Sequence, residues 1–347
     1  MRSLRTALSA ALVSVLVGPV SAATPASAVP LLTGSERAGS EVTRVVVISV
    51  DGLTPRAITK LGKANAPTFH RLVAEGATTL NARSEVEMTL TLPNHTGMVT
   101  SRRVERSRGG HGVTWNDERL RPRTVQTAAG QQVGSVFSAL RSAGLGSALF
   151  AAKPKFTLFK RSWPDAIDQL VINADNDILV AAARHDLETR WRALTFLHIS
   201  LPDVAGHAHG WMSPAYRTAV RQSDRLVGSV LDTVTKTPGS PEHTVVILTA
   251  DHGGYGPGHS DPRRYGNYRI PFLVWGAGVP AGVDLYDLNP TSYADPGRER
   301  VGYDEVLQPV RNGDVGNLVL DLLGLPPIPH SELDHDQDLE VFAPPVG

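Results

Sequence analysis

The chain has 347 residues, with 34 basic and 34 acidic side chains and no cysteine. The lack of cysteine excludes a disulfide framework, thiolate metal sites and any nucleophile derived from cysteine. Because the charges balance, the composition does not indicate broad electrostatic capture of nucleic acid, and we expect no stable nucleic-acid binding.

The first 28 residues have the pattern of a secretory signal peptide. Arg2 and Arg5 precede an apolar stretch at 7–20, and Ala26-Ser27-Ala28 matches an A-x-A cleavage site. A membrane anchor is the alternative, but the apolar stretch is shorter than the ~20 residues that a spanning helix needs. We therefore predict a signal peptide at 1–28, a secreted protein and no membrane span in the mature chain. Other possible cut sites are Ala22 and Ala23.

After a leader at 29–42 that we expect to be flexible, strand-like and helix-like patterns alternate along residues 43–347. The run at 45–50 is apolar and rich in valine, as expected of a strand covered on both faces. The alternation predicts an α/β fold: one domain with a mostly parallel central sheet and helices on both faces. The predicted strands are 45–50, 147–151, 195–200, 245–249 and 272–275; the predicted helices are 67–75, 136–142, 174–194, 214–234 and 314–323; and 277–313 is an expected elaborated loop.

An aspartate closely follows three of the predicted strands: Asp51, Asp203 and Asp251. The carboxyl ends of parallel strands form the ligand-binding face of open α/β sheets, so we expect these side chains to converge. His207 and His252 accompany them. Carboxylates and imidazoles gathered at one place are the ligands that a pair of divalent metal ions needs.

The spacing of these residues supports a metal site. Asp203 and His207 are four residues apart, so a helical turn would let both reach one ion. Taken alone, that pair is equally well explained as a loop acid beside a solvated histidine. Asp251 and His252 precede two glycines, which permit a sharp turn. Because buried charges need partners, the combined set favours a cation.

Thr91 is a candidate nucleophile. Pro93 suits the first turn of a helix, which would place the Thr91 hydroxyl at a helix N-terminus, where anions are stabilised. Coordination to a divalent metal would activate this hydroxyl at neutral pH. The alternative is that Thr91 is a simple N-cap, a role that threonine often fills.

Five segments, in order, resemble motifs of the nucleotide pyrophosphatase/phosphodiesterase branch of the alkaline phosphatase superfamily. Thr91-Leu92-Pro93-Asn94-His95 is similar to the T-F-P-N-H motif, with Leu92 in place of the usual phenylalanine. Ser101 stands where the family usually has glycine. The resemblance runs from about residue 45 to residue 272. The other segments are Val50-Asp51-Gly52, His111-Gly112-Val113-Thr114-Trp115-Asn116, Leu201-Pro202-Asp203-Val204-Ala205-Gly206-His207 and Asp251-His252-Gly253.

The resemblance implies an alkaline phosphatase-like domain over 43–347 with two divalent metal ions, of which Zn²⁺ is favoured over manganese or iron. Thr91 would attack phosphorus and form a phosphothreonine intermediate, while Asn116 would donate to a non-bridging oxygen. His259 is preferred as the third imidazole over His330 and His335, which lie in a polar C-terminal tail. The implied ligands are Asp203, His207 and His259 for one ion, and Asp51, Asp251, His252 and Thr91 for the other.

These features favour an exported two-metal phosphoric ester hydrolase. The leading hypothesis is a phosphodiesterase or nucleotide pyrophosphatase acting on a small phosphate diester or a nucleotide-type substrate. The alternatives are a phosphomonoesterase or phosphonate hydrolase of the same superfamily, or a secreted metal-binding protein without catalysis. A sulfatase that makes formylglycine from cysteine is excluded by the composition. The sequence leaves the oligomeric state open.

Several side chains outside the motifs have two interpretations. We expect the arginines of the loop 101–110 to be solvated, although one of them would suit a substrate phosphate. Lys153 and Lys155 follow a predicted strand and are expected at the surface, with substrate contact as the alternative. The aromatic candidates for base recognition are more simply explained as packing. The loop arginines are Arg102, Arg103, Arg106 and Arg108, and the aromatic candidates are Trp115, Phe156 and Trp163.

Overall fold

The computed structural model describes residues 42–343. The predicted signal peptide at 1–28 and the leader at 29–42 lie outside the described residues, apart from Val42. Within the part of the chain that the structure describes, no helix is both long enough and apolar enough to cross a bilayer.

Between residues 42 and 343, eight strands form one sheet. They are β1 (Arg44–Val50), β2 (Ala77–Arg83), β3 (Ser147–Ala151), β4 (Gln169–Ile172), β5 (Leu194–Ile199), β6 (Thr244–Thr249), β7 (Arg269–Gly276) and β8 (Val283–Asp284). Their order across the sheet is β4-β3-β5-β1-β6-β7-β2-β8. Strand β1 pairs in parallel with β5 and β6, whereas β7 is antiparallel to its neighbours β6 and β2. The predicted mostly parallel sheet is confirmed.

The three central strands are covered on both faces. Every residue of β1, β5 and β6 is buried. Successive side chains of a strand point to opposite faces, so burial of all of them requires packing on both sides. This explains why the apolar run at 45–50 lacks the alternation of a half-exposed strand.

The helices form two packed groups. Helix α9 contacts α1, α2 and α7, whereas α12 contacts α3 and α5. Together with the buried strand faces, this arrangement gives the predicted helices on both sides of the sheet. The helices are α1 (Pro55–Asn65), α2 (Pro67–Glu75), α3 (Thr91–Thr100), α4 (Val125–Ala129), α5 (Val136–Ser142), α6 (Thr157–Ser162), α7 (Asn176–Thr189), α8 (Leu201–His209), α9 (Pro214–Lys236), α10 (Tyr265–Tyr268), α11 (Leu285–Leu288) and α12 (Val315–Leu322).

Some elements differ from their predicted bounds. The helix predicted at 174–194 is shorter at both ends. The Asp175 side chain caps its start by accepting the amides of Asp177 and Ile178, and it ends at Thr189, before β5 begins at Leu194. Strand β2 was not predicted, since polar residues interrupt its apolar pattern. The region 277–313, expected to be a loop, contains β8 and α11.

Helix α2 depends on a residue of another helix for its N-terminal cap. Its own N-cap position, Ala66, offers no side-chain acceptor. The buried carboxylate of Asp224 on α9 instead accepts the amides of Thr68 at 3.1 Å and Phe69 at 2.7 Å. These are first-turn amides that have no partner within their own helix. Asp224 therefore ties α2 to α9.

We predict that Asp224→Ala lowers the free energy of unfolding by about 1–3 kcal/mol, because it leaves two buried amides unsatisfied. The matched control is Asp232→Ala on the same helix, which removes an exposed pair with Lys236 and should cost about 0.5 kcal/mol or less. Urea unfolding of both variants measures the difference. Equal losses in the two variants would contradict the capping role.

Candidate metal centre

Adjacent strands bring the three aspartates together. Asp51 follows β1, Asp251 follows β6, and Asp203 lies in the first turn of α8 after β5. The Asp203 amide donates to the Asp51 carbonyl oxygen at 3.1 Å. Gly52 makes this approach possible: its φ is +70°, and a Cβ there would lie 3.1 Å from the Asp203 Cα. All three aspartates are buried.

Two side chains fix the orientation of the Asp51 and Asp203 carboxylates: Lys153 donates to one oxygen of each, and His198 donates to the same Asp51 oxygen. Lys153 Nζ donates to Asp51 Oδ2 at 2.6 Å and to Asp203 Oδ2 at 2.7 Å. His198 accepts the Ala152 amide at Nδ1, so its Nε2 carries the proton that it donates to Asp51 Oδ2 at 2.9 Å. Both carboxylates are thereby fixed in orientation, with the second oxygen left for another partner.

In Asp251 too, one carboxylate oxygen is bonded to protein donors and the other is not. Its Oδ1 accepts the backbone amides of Gly52 at 3.0 Å and His252 at 2.9 Å. Its Oδ2 is buried and has no hydrogen-bond partner among residues 42–343. Such buried unpaired atoms are rare in folded proteins and indicate a missing partner. In this part of the molecule they are Asp51 Oδ1, Asp203 Oδ1, Asp251 Oδ2 and His252 Nε2.

Two buried imidazoles are held in the form that binds metals. His252 Nδ1 donates to the Gly253 carbonyl at 2.9 Å, and His259 Nδ1 donates to the Thr89 carbonyl at 2.5 Å. Each Nε2 therefore keeps its lone pair. Burial lowers the pKa of His252 to about 4 and that of His259 to about 3, so both rings are neutral at neutral pH.

The candidate ligand atoms have the spacing of ligands around a common ion. Asp203 Oδ1 lies 3.4 Å from His207 Nε2 and 3.6 Å from His259 Nε2, and the two imidazole nitrogens are 2.9 Å apart. Ligands about 2.0–2.1 Å from a tetrahedral ion are about 3.3 Å from one another. His252 Nε2 lies 3.5 Å from Asp51 Oδ1 and 3.2 Å from Asp251 Oδ2.

These atoms define two overlapping groups, which share His252. One contains Asp203 and His259 and the other contains Asp51 and Asp251. His207 adjoins the first group, and its side chain is half exposed whereas the other ligands are buried. The structure thus brings all six predicted Asp and His ligands to one place, and the residues present fit a divalent cation site.

The balance of charges among these side chains also favours a bound cation. Burial and the charges of Asp51 and Asp203 raise the pKa of Asp251 well above its usual range. Burial alone would lower the pKa of Lys153, but the same two carboxylates outweigh it and raise that pKa above its ordinary value. Among residues 42–343, one ammonium group therefore serves two carboxylates, and no lysine or arginine pairs with the third.

Thr91 and Asn116 lie at the N-terminus of α3. Thr91 is the first residue of that helix and Leu90 is its N-cap, so the simple N-cap interpretation of Thr91 is wrong. Asn116 Oδ1 accepts the Leu92 amide at 2.9 Å and Lys155 Nζ at 3.0 Å. Because its oxygen is engaged, the Asn116 side chain presents its NH₂ group as a donor.

His95 anchors the first turn of α3 beside the carboxylates. Its Nδ1 donates to the Thr91 carbonyl at 2.8 Å, which leaves Nε2 to accept from Ser49 Oγ at 2.8 Å. The Nδ1 atom also lies 3.7 Å from Asp251 Oδ2. The Thr91 backbone is therefore fixed next to the candidate metal centre.

The expectation of surface lysines is wrong for Lys153 and Lys155. Lys153 binds two of the aspartates, and Lys155 binds Asn116. Their position directly after β3, at the carboxyl edge of the sheet, was the sequence signal that could have located them. His198 was missed as well, because a histidine inside a buried strand gives no motif.

The remaining candidates lie outside the centre. Arg102 and Arg103 are buried rather than solvated: Arg102 donates to the Gly109 and Pro329 carbonyls, and Arg103 pairs with Glu87 and Glu332. The aromatic candidates Trp115, Phe156 and Trp163 belong to the hydrophobic core. His209, His330 and His335 are exposed and are in neither ligand group.

The fold is similar to those of solved phosphodiesterase and sulfatase structures. Murine ectonucleotide pyrophosphatase/phosphodiesterase 5, as an inactive variant in complex with AMP, superposes with a TM-score of 0.64 at 15% identity, covering 86% of this chain and 99% of that chain. A 2-O GAG sulfatase superposes with a TM-score of 0.55 at 14% identity, covering 82% of this chain and 71% of that chain. These likenesses establish the fold.

The sequence identifies the family. The model of the type I phosphodiesterase/nucleotide pyrophosphatase family matches residues 45–256, and the chain belongs to this family. Relatives include the GPI ethanolamine phosphate transferase 1 of Yarrowia lipolytica, 32% identical over 36% of this chain, and that of Gibberella zeae, 31% identical over 41%. Each match covers 13% of the relative's length. The family match indicates chemistry on phosphate esters of the phosphodiesterase or pyrophosphatase type.

We predict that Lys153→Met destabilises the metal-free protein far more than the metal-loaded protein. Without Lys153, the buried carboxylates of Asp51 and Asp203 lose the ammonium group that they share. This change costs about 3–5 kcal/mol, whereas a bound cation would neutralise the two carboxylates. Thermal unfolding with chelator and with added Zn²⁺ measures both losses. Lys155→Met, which removes the contact with Asn116 instead, serves as the control. An equal loss in both conditions would contradict the proposed charge balance.

Proposed function

We propose that this protein is a secreted two-metal phosphodiesterase or nucleotide pyrophosphatase that acts through Thr91. One observation carries the proposal. Three buried carboxylates each have one oxygen fixed by protein donors, and their unpaired oxygens converge with the Nε2 atoms of His252 and His259 beside the N-terminus of α3. The family match supports the choice of phosphate esters. Secretion rests on the signal-like residues 1–28.

The ligand sets suit two divalent ions. Asp203, His207 and His259 would hold one ion, while Asp51, Asp251 and His252 would hold the other together with the Thr91 oxygen. The three imidazoles of the two ligand sets together favour Zn²⁺. When bound, the ions would neutralise the charge of the phosphoryl group and lower the pKa of the Thr91 hydroxyl.

Thr91 and Asn116 perform the remaining steps. Thr91 Oγ loses its proton and forms a bond to phosphorus as the bond to the leaving alcohol oxygen breaks, and that oxygen takes up a proton. Water then loses a proton and attacks phosphorus, the bond to Thr91 Oγ breaks, and the threonine oxygen is protonated again. The Asn116 NH₂ group would donate to a non-bridging oxygen, where charge builds up. Leu92 and Lys155 hold the amide oxygen, so they orient this donor before the substrate arrives.

A second candidate is transfer of the phosphoryl-linked group to an alcohol instead of water. The matches to GPI ethanolamine phosphate transferases favour it, although the chain spans only 13% of their length. The same Thr91 adduct would serve both reactions, and the acceptor alone would differ. Product analysis with ethanol or glycerol added as the acceptor separates transfer from hydrolysis. Phosphomonoester or phosphonate hydrolysis by the same centre is a further alternative.

We predict that Thr91→Ala reduces diester turnover roughly a thousandfold or more, because the attacking oxygen is lost. Bound metal should remain, since aspartates and histidines supply most of the ligands. The matched control is Thr100→Ala, which removes a buried hydroxyl that donates within the same helix and should retain turnover. Steady-state kinetics and metal analysis of the purified variants measure both effects. Loss of metal and fold together in Thr91→Ala would show that Thr91 is structural.

A further inference from the structure

A cavity of about 1010 Å³ lies next to the candidate metal centre. It is large enough for a small organic ligand. Four of its lining residues are arginines: Arg56, Arg264, Arg269 and Arg298. Among residues 42–343, no aspartate or glutamate lines it. The cavity therefore concentrates positive charge beside a centre that is built from carboxylates.

The four guanidinium groups keep N–H donors for an anion, although Arg269 Nε donates to the Leu80 carbonyl at 2.8 Å. Among residues 42–343, none of them forms an ion pair with a carboxylate. Aromatic rings support three of them: Arg264 lies 4.9 Å from the Tyr255 ring centre, and Arg269 and Arg298 lie 5.5 and 4.5 Å from that of Tyr265. Arginines ordered in this way suit the bidentate binding of phosphate groups.

Trp211 joins the cavity to the metal centre. It lines the cavity, and its ring centre lies 5.3 Å from that of His207 and 5.6 Å from that of His259. The loop between His252 and His259 contributes a second wall, since Gly254, Tyr255 and Gly256 also line the cavity. The cavity wall and two of the candidate imidazole ligands are therefore in contact through one side chain, that of Trp211.

We propose that this arginine-lined cavity binds a second anionic group, a phosphate or phosphoanhydride, of a substrate whose scissile phosphoryl group lies at the metal centre. The proposal rests on the proposed function and narrows its substrate class. The favoured substrates are diesters that carry a further phosphate, rather than diesters with two neutral arms. Selectivity would come from the four arginines, because a diester with a single negative charge has no second anionic group to pair with them.

The test uses p-nitrophenyl alkyl phosphates with arms of graded length that end in either a methyl group or a phosphate monoester. We expect the terminal phosphate to lower KM about tenfold or more at the best length, because several charge-assisted hydrogen bonds form. The double variant Arg264→Gln/Arg298→Gln should abolish this advantage and leave the methyl series unchanged. Arg263→Gln is the control, since Arg263 is exposed, pairs with Asp261 and does not line the cavity.

Failure of the cavity assignment and failure of the proposed function give different results. Hydrolysis of both series without any advantage for the terminal phosphate, or an advantage that survives the double variant, would overturn the cavity assignment alone. If no diester is hydrolysed, calorimetric titration of the chelated full chain with inorganic phosphate tests the cavity directly. Binding that is lost in the double variant and kept in Arg263→Gln would support it; binding equal in all three proteins, or none, would overturn it.

Discussion

Mutual repulsion among the buried carboxylates of Asp51, Asp203 and Asp251 is the constraint on which the rest of the site depends. The positive charge that contacts two of them is a single ammonium group, that of Lys153. Protein donors fix one oxygen of each carboxylate, so the remaining oxygens converge with the imidazole nitrogens of His252 and His259. A cation both relieves the repulsion and fills the coordination that these atoms offer.

The sheet makes this concentration of charge possible. Strand β1 lies between β5 and β6, so three consecutive strands deliver their C-terminal residues to one edge. The same strands are buried on both faces, which gives the edge a rigid base and keeps water from the charges. The chain then returns at Thr91, where α3 begins beside the carboxylates and is held there through His95. Phosphoryl transfer depends mainly on positioning and charge, and this arrangement supplies both.

Residue patterns predicted the central strands and the candidate ligands because both are local properties of the sequence. Val45–Val50 has the continuous apolar run of a buried strand, and Asp51 comes directly after it. The contacts of Lys153 and His198 with Asp51 were not predicted, because they cross more than a hundred residues and depend on the order of β3, β5 and β1. Strand β2, with its polar residues, is defined by pairing with β7 rather than by its own pattern. Ser101 adopts φ +47°, a left-handed conformation that explains why glycine is usual at its position.

The central claim is that the converging carboxylates and imidazoles form a metal centre that cleaves phosphate diesters. Hydrolysis of bis-p-nitrophenyl phosphate and of p-nitrophenyl phosphate by the purified protein, each with and without a chelator, tests this claim most directly. The account predicts preference for the diester, with activity that a chelator abolishes and added Zn²⁺ restores. Diester hydrolysis that persists after complete removal of metal would contradict this account. Preference for the monoester would instead indicate that the same centre acts as a phosphomonoesterase.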